Sequence, residues 1–422
     1  MMETKGQPGP GAGVRAIYYG WTVVAAAFAV MFFGFGCAYS FSPFFEILQR
    51  EFGASRGEVS LVFSLAGGLY FLLGAVSGPI ADRLGPRWIS AAGMLIVGLG
   101  LILASRATSL SQLYWSYGVG IGVGVGLSYV PSIGAVQRWF VRRRGFASGL
   151  AVSGIGLGTL CLPPLATWLI GLLDWRGAYL VLGLVAILGG GGAALFIENS
   201  PARRGLLPDG EIPSSAKAER HLRDEPAAGL DFGAALRSRP FLMLYAASVT
   251  LSLGLFIPFV HLVPYAEDHG MDKSTAVWLL SLIGVGSTVG RFALGSLADR
   301  LGRRLSLGIT FFGMGTMLFW WSASTVFWQL ALFALTFGAF YGGFVALVPA
   351  LGMDFFGGRA LSSILGVLYT SVALGTLVGP PLAGAAFDLS HSYSLPIAVS
   401  AASCFVGVLL IALLPNPATG RR

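Results

Sequence analysis

Charged side chains are scarce in this chain: Asp, Glu, Lys and Arg make up 11% of its 422 residues, whereas hydrophobic residues make up 55%. A soluble domain carries roughly 25% charged residues, so the composition excludes an ordinary soluble protein. Cysteine is rarer still, with three residues, Cys37, Cys161 and Cys404, all in apolar stretches. They provide neither a disulfide framework nor metal-ligand spacing, and we expect them to be buried as small apolar residues.

Apolar runs of about 20 residues recur along the chain, the length that a helix needs to cross the hydrocarbon core of a bilayer. The runs are continuous rather than alternating, so they predict helices and not a barrel. Residues 198–240 are polar and rich in Pro, Ser, Glu and Arg, which indicates a linker. We predict an all-α membrane protein in which a six-helix bundle (1–197), the linker (198–240) and a second six-helix bundle (241–422) follow one another. The twelve predicted transmembrane helices lie near 20–44, 60–81, 88–105, 112–136, 146–170, 177–197, 241–265, 275–298, 305–323, 327–351, 361–386 and 394–414.

The basic residues predict the orientation. With the N-terminus inside, 21 of the 27 Lys and Arg residues fall on the inner side, five fall on the outer side, and Arg291 lies within a span. This bias predicts that both termini are cytoplasmic. It also explains the net charge of +8 as a topology signal, so we expect a lipid bilayer and no nucleic acid as partner. Short outer loops without a glycosylation signal favour a bacterial inner (cell) membrane.

Two segments occur twice at the same spacing. GPIADRLGPR begins at Gly78 and GSLADRLGRR at Gly295, an offset of 217, and LGTLCLPPLA at Leu157 returns as LGTLVGPPLA at Leu374 with the same offset. A parallel six-plus-six repeat predicts two pseudo-symmetric bundles, the architecture of major facilitator transporters, with a substrate site near the midplane.

The repeated GxxADRLGxR motif ends the second and eighth spans. Its glycine permits close helix contact, and its acidic and basic groups can pair with each other or with helix ends. The doubled motif resembles that of the major facilitator superfamily. We predict that it forms a gating latch, with simple topological anchoring as the alternative. The predicted gating residues are Asp82, Arg83, Asp299, Arg300 and Arg304.

Further segments resemble the monocarboxylate transporter family and its bacterial relatives, including oxalate–formate antiporters. The resemblance covers nearly the whole chain except the linker, and it implies a transporter rather than an enzyme. It is carried by YYGWTVV at 18–24, QRWFVRRRGFASGLAVSGIGLG at 137–158, FIPFVHLVPYAEDHG at 256–270, LGTLVGPPLAGAAFDLSHSY at 374–393, and Arg291.

Arg291 is the cation that a bilayer should not tolerate, because a central arginine costs about 2.5–3.5 kcal/mol on insertion scales. It precedes Asp299 by eight residues, or roughly 12 Å of helix, which puts it near mid-depth. All 19 acidic residues fall in loops or at helix ends, so none lies at its level. A substrate carboxylate could neutralise the guanidinium in a bidentate pair; the alternative is an arginine held by backbone carbonyls or water. The resembled family has a substrate-binding arginine at this point.

A single cation suits a single carboxylate. Oxalate–formate antiporters carry an additional lysine in the eleventh span, whereas that span here contains no cation. We therefore expect a monoanion such as lactate, pyruvate or another short 2-hydroxy or 2-oxo acid.

Polar partners for this acid should come from hydroxyl groups near mid-span, because a tyrosine packs against apolar atoms and also donates a hydrogen bond. The predicted substrate-binding residues besides Arg291 are Tyr39, Tyr129, Tyr341, Tyr369 and Ser287. Lipid-facing or packing roles are the alternative for each tyrosine.

The proton acceptors of animal family members are missing here: Ser287 replaces an aspartate one turn before the arginine, and Phe44 replaces a lysine after the proline of the first span. Coupling could run through the substrate carboxyl or through His261, the one histidine within a span. A hydrogen-bonded structural role near the outer end of the seventh span is the alternative for His261.

The sequence thus predicts a monomeric secondary transporter of small monocarboxylates that works by alternating access, with proton-coupled symport. Organic-anion exchange and metabolite or drug export by the same fold remain alternatives. The spans contain no nucleophile–base pair, metal-ligand cluster or nucleotide loop, so we expect no catalysis, no metal and no cofactor.

Overall fold

The computed structural model describes residues 18–140, 143–210, 229–357 and 360–415. Within these ranges the chain is helical, with one isolated bridge between Gly229 and Gly357. Eleven of the described segments are long and apolar enough to span a membrane. The longest, Phe146–Ala194, has 49 residues and breaks at Asp174 (φ 66°, ψ −179°), so it accounts for the fifth and sixth predicted spans. The all-α membrane fold is confirmed.

We number the spans α1–α12 in chain order. The first six are α1 (Tyr19–Tyr39), α2 (Arg56–Leu84), α3 (Pro86–Ala104), α4 (Gly120–Trp139), and α5 and α6, which are the parts of Arg144–Val185 before and after Asp174. The last six are α7 (Arg239–Leu255 followed by Ile257–Asp268), α8 (Trp278–Leu301), α9 (Arg303–Ser322), α10 (Phe327–Phe356), α11 (Leu361–Ser390) and α12 (Ser394–Ala412). Shorter helical pieces lie at Ser42–Phe44, Phe45–Phe52, Leu110–Leu113, Tyr114–Val119, Ala186–Gly191, Gly192–Ala194, Pro201–Arg204, Pro208–Gly210, Phe232–Leu236 and Lys273–Ala276.

Helix starts follow from local capping. The Ser55 side chain accepts a hydrogen bond from the Glu58 amide, and the Glu58 carboxylate accepts one from the Ser55 amide, which is a complete capping box for α2. The Ser238 hydroxyl likewise accepts from the Phe241 amide, so α7 begins at Arg239.

The beginning of the predicted linker packs on the N-terminal half. The Tyr18 hydroxyl donates a hydrogen bond to the carbonyl of Leu207 (3.0 Å), and the Glu198 carboxylate lies 2.6 Å from an Arg87 nitrogen. Residues 211–228 of the predicted linker lie outside the described residues. The division of the chain into two bundles and a linker therefore stays a prediction.

The internal repeat reappears in the backbone conformation. Gly85 (φ 89°, ψ 140°) and Gly302 (φ 88°, ψ 141°) close the two motif copies with the same backbone geometry. Two further pairs with the same offset of 217 also have positive φ, namely Gly53 with Gly270, and Asp174 with His391. Because side chains rarely adopt positive φ, this coincidence shows that the two halves share their turns as well as their motifs.

The two halves meet along two pairs of helices, α2 with α11 and α5 with α8. Small residues form both contacts. A Cβ added to Gly284 of α8 would lie 2.5 Å from the Gly156 carbonyl oxygen of α5, and one added to Gly57 of α2 would lie 3.1 Å from the Ala385 amide of α11. Backbones in such close contact fix the register of one half on the other.

The surface of the helices is apolar, as a lipid-facing surface requires. Large hydrophobic side chains such as Leu188, Phe319 and Leu409 are more than 60% exposed. Cys37 and Cys404 are buried as expected. The prediction for Cys161 is wrong, because its position on α5 leaves it exposed.

We predict that Gly302→Ala lowers the thermal unfolding midpoint of the detergent-solubilised protein. No atom lies within 4 Å of a Cβ added there, so the whole effect comes from forcing alanine to φ 88°. Such a conformation costs about 1–3 kcal/mol. Gly295→Ala is the matched control, because it also meets no atom within 4 Å but lies inside α8, where alanine is favoured. Equal midpoints for the two variants would contradict the assignment of strain to Gly302.

Candidate functional site

The Arg291 side chain lies inside the protein, and only one of its three guanidinium nitrogens has a hydrogen-bond partner among the described residues. Arg291 is 7% exposed, and its Nη1 donates a hydrogen bond of 2.9 Å to the carbonyl of Val152 on α5. Its Nε and Nη2 are buried and have no hydrogen-bond partner among the described residues. These two nitrogens form one edge of the guanidinium, which is the edge that pairs side-on with both oxygens of a carboxylate. The edge is therefore positioned to bind an anion.

Close helix packing brings the guanidinium to this position. A Cβ on Gly342 of α10 would lie 3.0 Å from the Arg291 amide nitrogen, so only glycine lets α10 approach α8 at this level. The contact of α5 with α8 through Gly156 and Gly284 brings Val152, one turn earlier on α5, within reach of Nη1. The arginine thus touches the other half of the protein.

A cavity of about 30 Å³ lies between the halves, and Arg291 is not among the residues that line it. The predicted residues Tyr129, Tyr341 and Tyr369 contribute to its wall. Of these, Tyr129 and Tyr341 interact electrostatically with the Arg291 guanidinium. The rest of the wall is apolar and consists of Phe35, Phe71, Ile155, Leu255, Phe256, Phe344, Val345 and Val372.

The remaining predicted binding residues are close to the arginine but not in the cavity wall. The Tyr39 hydroxyl lies 3.2 Å from the Tyr341 hydroxyl, a hydrogen bond between the two halves. Ser287 is 2% exposed, and its Oγ has no partner among the described residues. The sequence interpretation missed Tyr70, whose buried hydroxyl also has no partner in the described part of the chain and whose ring lies 5.3 Å from that of Phe35. As a mid-span tyrosine of α2, it met the same criterion as the other four.

A second polar cluster closes the end of the molecule at Arg56, which is the predicted outer end. Arg56 of α2 forms two hydrogen bonds of 2.7 Å with the two carboxylate oxygens of Asp268 on α7, and a third of 2.7 Å with the Tyr393 hydroxyl. The Asp388 carboxylate accepts hydrogen bonds from the Arg56 and Gly57 amides at the start of α2. We call this the outer cluster. It joins the two halves by charge-assisted hydrogen bonds.

His261 belongs to the outer cluster rather than to the cavity wall. It is fully buried, with Nε2 2.9 Å from the Pro380 carbonyl and 3.1 Å from the Ser60 hydroxyl, and Nδ1 3.0 Å from the Tyr393 hydroxyl. A carbonyl can only accept, so Nε2 carries a proton. The Tyr393 hydroxyl oxygen accepts a hydrogen bond from Arg56, so the hydroxyl proton of Tyr393 is free to be donated to Nδ1 of His261. These hydrogen-bond directions fit a neutral imidazole.

The structure describes only part of the predicted gating latch. The side chains of Asp82, Arg83 and Asp299 lie outside the described residues, and Arg300 is exposed. Arg304 donates a hydrogen bond of 3.2 Å to the Ile411 carbonyl at the end of α12. Its repeat equivalent, Arg87, donates one of 3.3 Å to the carbonyl of Ile197 after α6. These bonds hold the last helix of each half to its own half, and both gating by the motif and its topological anchoring stay predictions.

The described ranges hold no group of three or more His, Cys, Asp or Glu side chains arranged as metal ligands.

Known proteins resemble this chain over most of its length. The Major Facilitator Superfamily model matches residues 24–304 and 242–422. Human monocarboxylate transporter 2 is 30% identical over 390 residues, which cover 89% of this chain and 81% of that protein. Monocarboxylate transporter 13 of Rattus norvegicus is 30% identical, with 94% and 89% coverage, and monocarboxylate transporter 12-B of Danio rerio is 32% identical, with 93% and 86% coverage.

We predict that Arg56→Gln weakens the closure at the outer cluster. Gln cannot supply the bidentate pair to Asp268, so the two halves separate more easily at this end. The reporter is Ser42→Cys in a chain without the three native cysteines, because the Ser42 hydroxyl bonds the Val260 carbonyl across the halves (3.0 Å). Labelling by a membrane-impermeant maleimide should be at least about tenfold faster, equal to about 1.4 kcal/mol against the closed form.

The control for this experiment is Arg50→Gln, since Arg50 pairs with Glu46 within one exposed helix and does not cross the halves. Labelling that is equally fast in all three proteins would show that the outer cluster does not close this end.

Proposed function

This chain belongs to the major facilitator superfamily and, within it, to the monocarboxylate transporter family, and we propose that it carries small monocarboxylates across a bacterial inner membrane by proton-coupled symport. The protein is a multi-pass membrane transporter and not an enzyme. In the proposed cycle the two bundles, 1–197 and 241–422, move as a monomer about the cavity while both termini face the cytoplasm. Asp82, Arg83, Asp299, Arg300 and Arg304 would act at the cytoplasmic side.

The observation that carries the proposal is the guanidinium of Arg291, in which Nη1 has a hydrogen-bond partner and Nε and Nη2 have none among the described residues. A buried charge without a full set of hydrogen bonds is costly, and a carboxylate at Nε and Nη2 removes that cost. Tyr129 and Tyr341 then lie beside the bound acid, with Tyr39, Tyr369 and Ser287 close by. One guanidinium balances one carboxylate, which favours a monoanion over a dianion.

Proton coupling in this proposal acts through the outer cluster. In the closed form, neutral His261 accepts the Tyr393 hydroxyl proton, while Arg56 donates to the oxygen of that hydroxyl. A proton added at Nδ1 turns this acceptor into a donor that faces Tyr393, and it adds positive charge beside Arg56. Asp268 is already paired with Arg56, and Asp388 is already hydrogen-bonded to the start of α2. Protonation therefore favours separation of the two halves at the outer end.

Because the proton binds the outward-open form more tightly, a lower outer pH populates that form and its empty site. Because the closed form holds His261 neutral, the proton leaves the imidazole as the outer end closes, and symport requires that it pass to the bound acid and be released with the acid on the inside. Uptake should accordingly rise as the outer pH falls, and it should fall when a protonophore collapses an inward proton gradient.

Arg291→Gln tests the binding site. We predict that it abolishes stabilisation by lactate in a thermal-shift titration, and that it abolishes counterflow of labelled lactate in proteoliposomes, because no bidentate cation remains. Arg106→Gln, in an exposed loop, should behave like the wild type. Arg291→Lys keeps the positive charge but cannot form two parallel hydrogen bonds to a carboxylate, so it should weaken lactate binding at least about tenfold. Counterflow at the wild-type rate in Arg291→Gln would overturn the proposed site.

His261→Gln tests the coupling. Gln cannot be protonated, so we predict that net uptake loses its dependence on outer pH while exchange of lactate at equal pH on both sides continues. His269→Gln is the matched control, since His269 lies at the end of the same helix and its Nδ1 is 2.8 Å from the Tyr265 carbonyl of its own half. Unchanged pH dependence in His261→Gln would exclude His261 as the coupling residue, and indifference of the wild type to a protonophore would exclude symport.

A further inference from the structure

Three hydroxyl residues of α2 lead from the outer cluster toward mid-depth, and we call them the hydroxyl row: Ser60, Ser64 and Tyr70. The Oγ of Ser60 lies 3.1 Å from Nε2 of His261 and donates a hydrogen bond of 2.6 Å to a backbone carbonyl of its own helix. Ser64 lies one turn further along the same face, and its buried Oγ has no hydrogen-bond partner within the described ranges. The proton on Nε2 of His261 therefore faces hydroxyl groups rather than hydrocarbon.

Tyr70 lies at the inner end of the hydroxyl row. A Cβ added to Gly67 would lie 3.6 Å from the Tyr70 hydroxyl oxygen, so this hydroxyl group points back along α2 toward Ser64. It is buried and has no partner among the residues that the structure describes. Ser64 and Gly67 are about 4.5 Å apart along the helix axis, and the Cβ atoms of Ser60 and Ser64 are about 5–6 Å apart. One water molecule can bridge each gap with two hydrogen bonds.

The facing helix supplies acceptors for such water molecules. Pro380 and Pro381 of α11 have no N–H, so the carbonyls of Thr376 and Leu377, four residues earlier, lose their usual helical partners. Thr376 lies directly opposite Gly67, because a Cβ added to Gly67 would come within 2.2 Å of its Cγ2. Buried water binds where polar groups without partners meet, usually with two to four of them. The two unpartnered hydroxyl groups of α2 and these carbonyls meet that requirement.

Tyrosine hydroxyl groups continue the row to the guanidinium. Tyr70 interacts electrostatically with Tyr39 and Tyr341, whose hydroxyl oxygens lie 3.2 Å apart. Tyr341 in turn interacts with the Arg291 guanidinium. A carboxylate on Nε and Nη2 would therefore lie at the inner end of this series of hydroxyl groups, and His261 lies at its outer end.

We propose that the hydroxyl row, with one water molecule in each gap, conducts protons from His261 to the carboxylate bound at Arg291. This inference rests on the proposed function, in which the imidazole loses its added proton as the outer end closes. The imidazolium gives its Nε2 proton to Ser60, every oxygen of the path takes up one proton and passes one on, and the carboxylate becomes a neutral acid. His261 keeps the proton on Nδ1 and regains the Nε2 tautomer by exchange with water when the outer end opens.

Closure of the outer end gives the transfer its direction. In the closed form the imidazole of His261 is fully buried, and the titratable groups around it are Tyr393, Arg56 with its partner Asp268, and Asp388. Burial disfavours a charged imidazolium, and the positive charge of Arg56 repels it. The proton therefore leaves His261 inward as the closed form assembles.

Ser64→Val and Ser64→Thr test the path with two side chains of the same shape, of which only Thr has a hydroxyl group. The measurement is a ratio of two rates in proteoliposomes: net uptake of labelled lactate driven by an inward proton gradient, and exchange of labelled lactate at equal pH. Because a positioned proton-transfer group contributes about 10²–10⁴-fold, the ratio should fall at least about tenfold in Ser64→Val and stay within about threefold of the wild type in Ser64→Thr. Equal ratios in the two folded variants overturn the path through Ser64.

Tyr70→Phe provides the second test, since it removes the inner hydroxyl group and keeps the ring that contacts Phe35 and Phe71. The ratio should again fall at least about tenfold. Ser306→Ala is the matched control, because Ser306 is equally buried, its Oγ has no partner in the described part of the chain, and α9 packs on α10 and α12 of its own half. A wild-type ratio in Tyr70→Phe, or an equal fall in Ser306→Ala, overturns the inference.

The outcome for the proposed function is separate. If the wild type takes up lactate equally with and without a proton gradient, symport is wrong, and the inference fails with it. If uptake by the wild type follows the gradient and uptake by Ser64→Val follows it equally well, only the path fails.

Discussion

The central constraint on this structure is the guanidinium of Arg291, a charged group that is buried inside a membrane protein. Arg291 satisfies one nitrogen with the Val152 carbonyl of the opposite half and leaves two buried nitrogens without partners among the described residues. The close approach of α8 to α10 and of α5 to α8, through glycines, holds it there. Under the proposed function, a bound carboxylate would remove this cost for part of the cycle, so the local instability would be the basis of the binding chemistry.

The same interface carries a second constraint at its outer end. Arg56, Asp268 and Tyr393 join the halves by short, largely buried hydrogen bonds, and His261 is bonded to the same hydroxyl group. The ligand site and this closure lie on different levels of one interface. A shift of one half relative to the other therefore changes both, and under the proposed function this would be the physical route from proton binding to acid binding.

Most of the fold could be predicted, because span length and hydropathy are sufficient to locate membrane helices. The position of Arg291 inside a span was also predictable, since it is a single cation within an apolar run. The Val152 carbonyl was not, because a backbone acceptor carries no sequence signal. The pairing of Arg56 with Asp268 was missed for a similar reason: it joins residues far apart in sequence, and only the packing of the two halves reveals it. The helix break at Asp174 could not be predicted from the sequence either, because it is defined by the backbone angles of that residue.

The bond from Arg291 to Val152 has a kinetic consequence for a transporter. In the state described here an empty protein encloses Nε and Nη2, which have no partner among the described residues, whereas under the proposed function a loaded protein would enclose them in contact with a carboxylate. Under the proposed function, reorientation without cargo would then be the slow limb of the cycle. Such a transporter would exchange one acid for another more rapidly than it delivers a net flow of either.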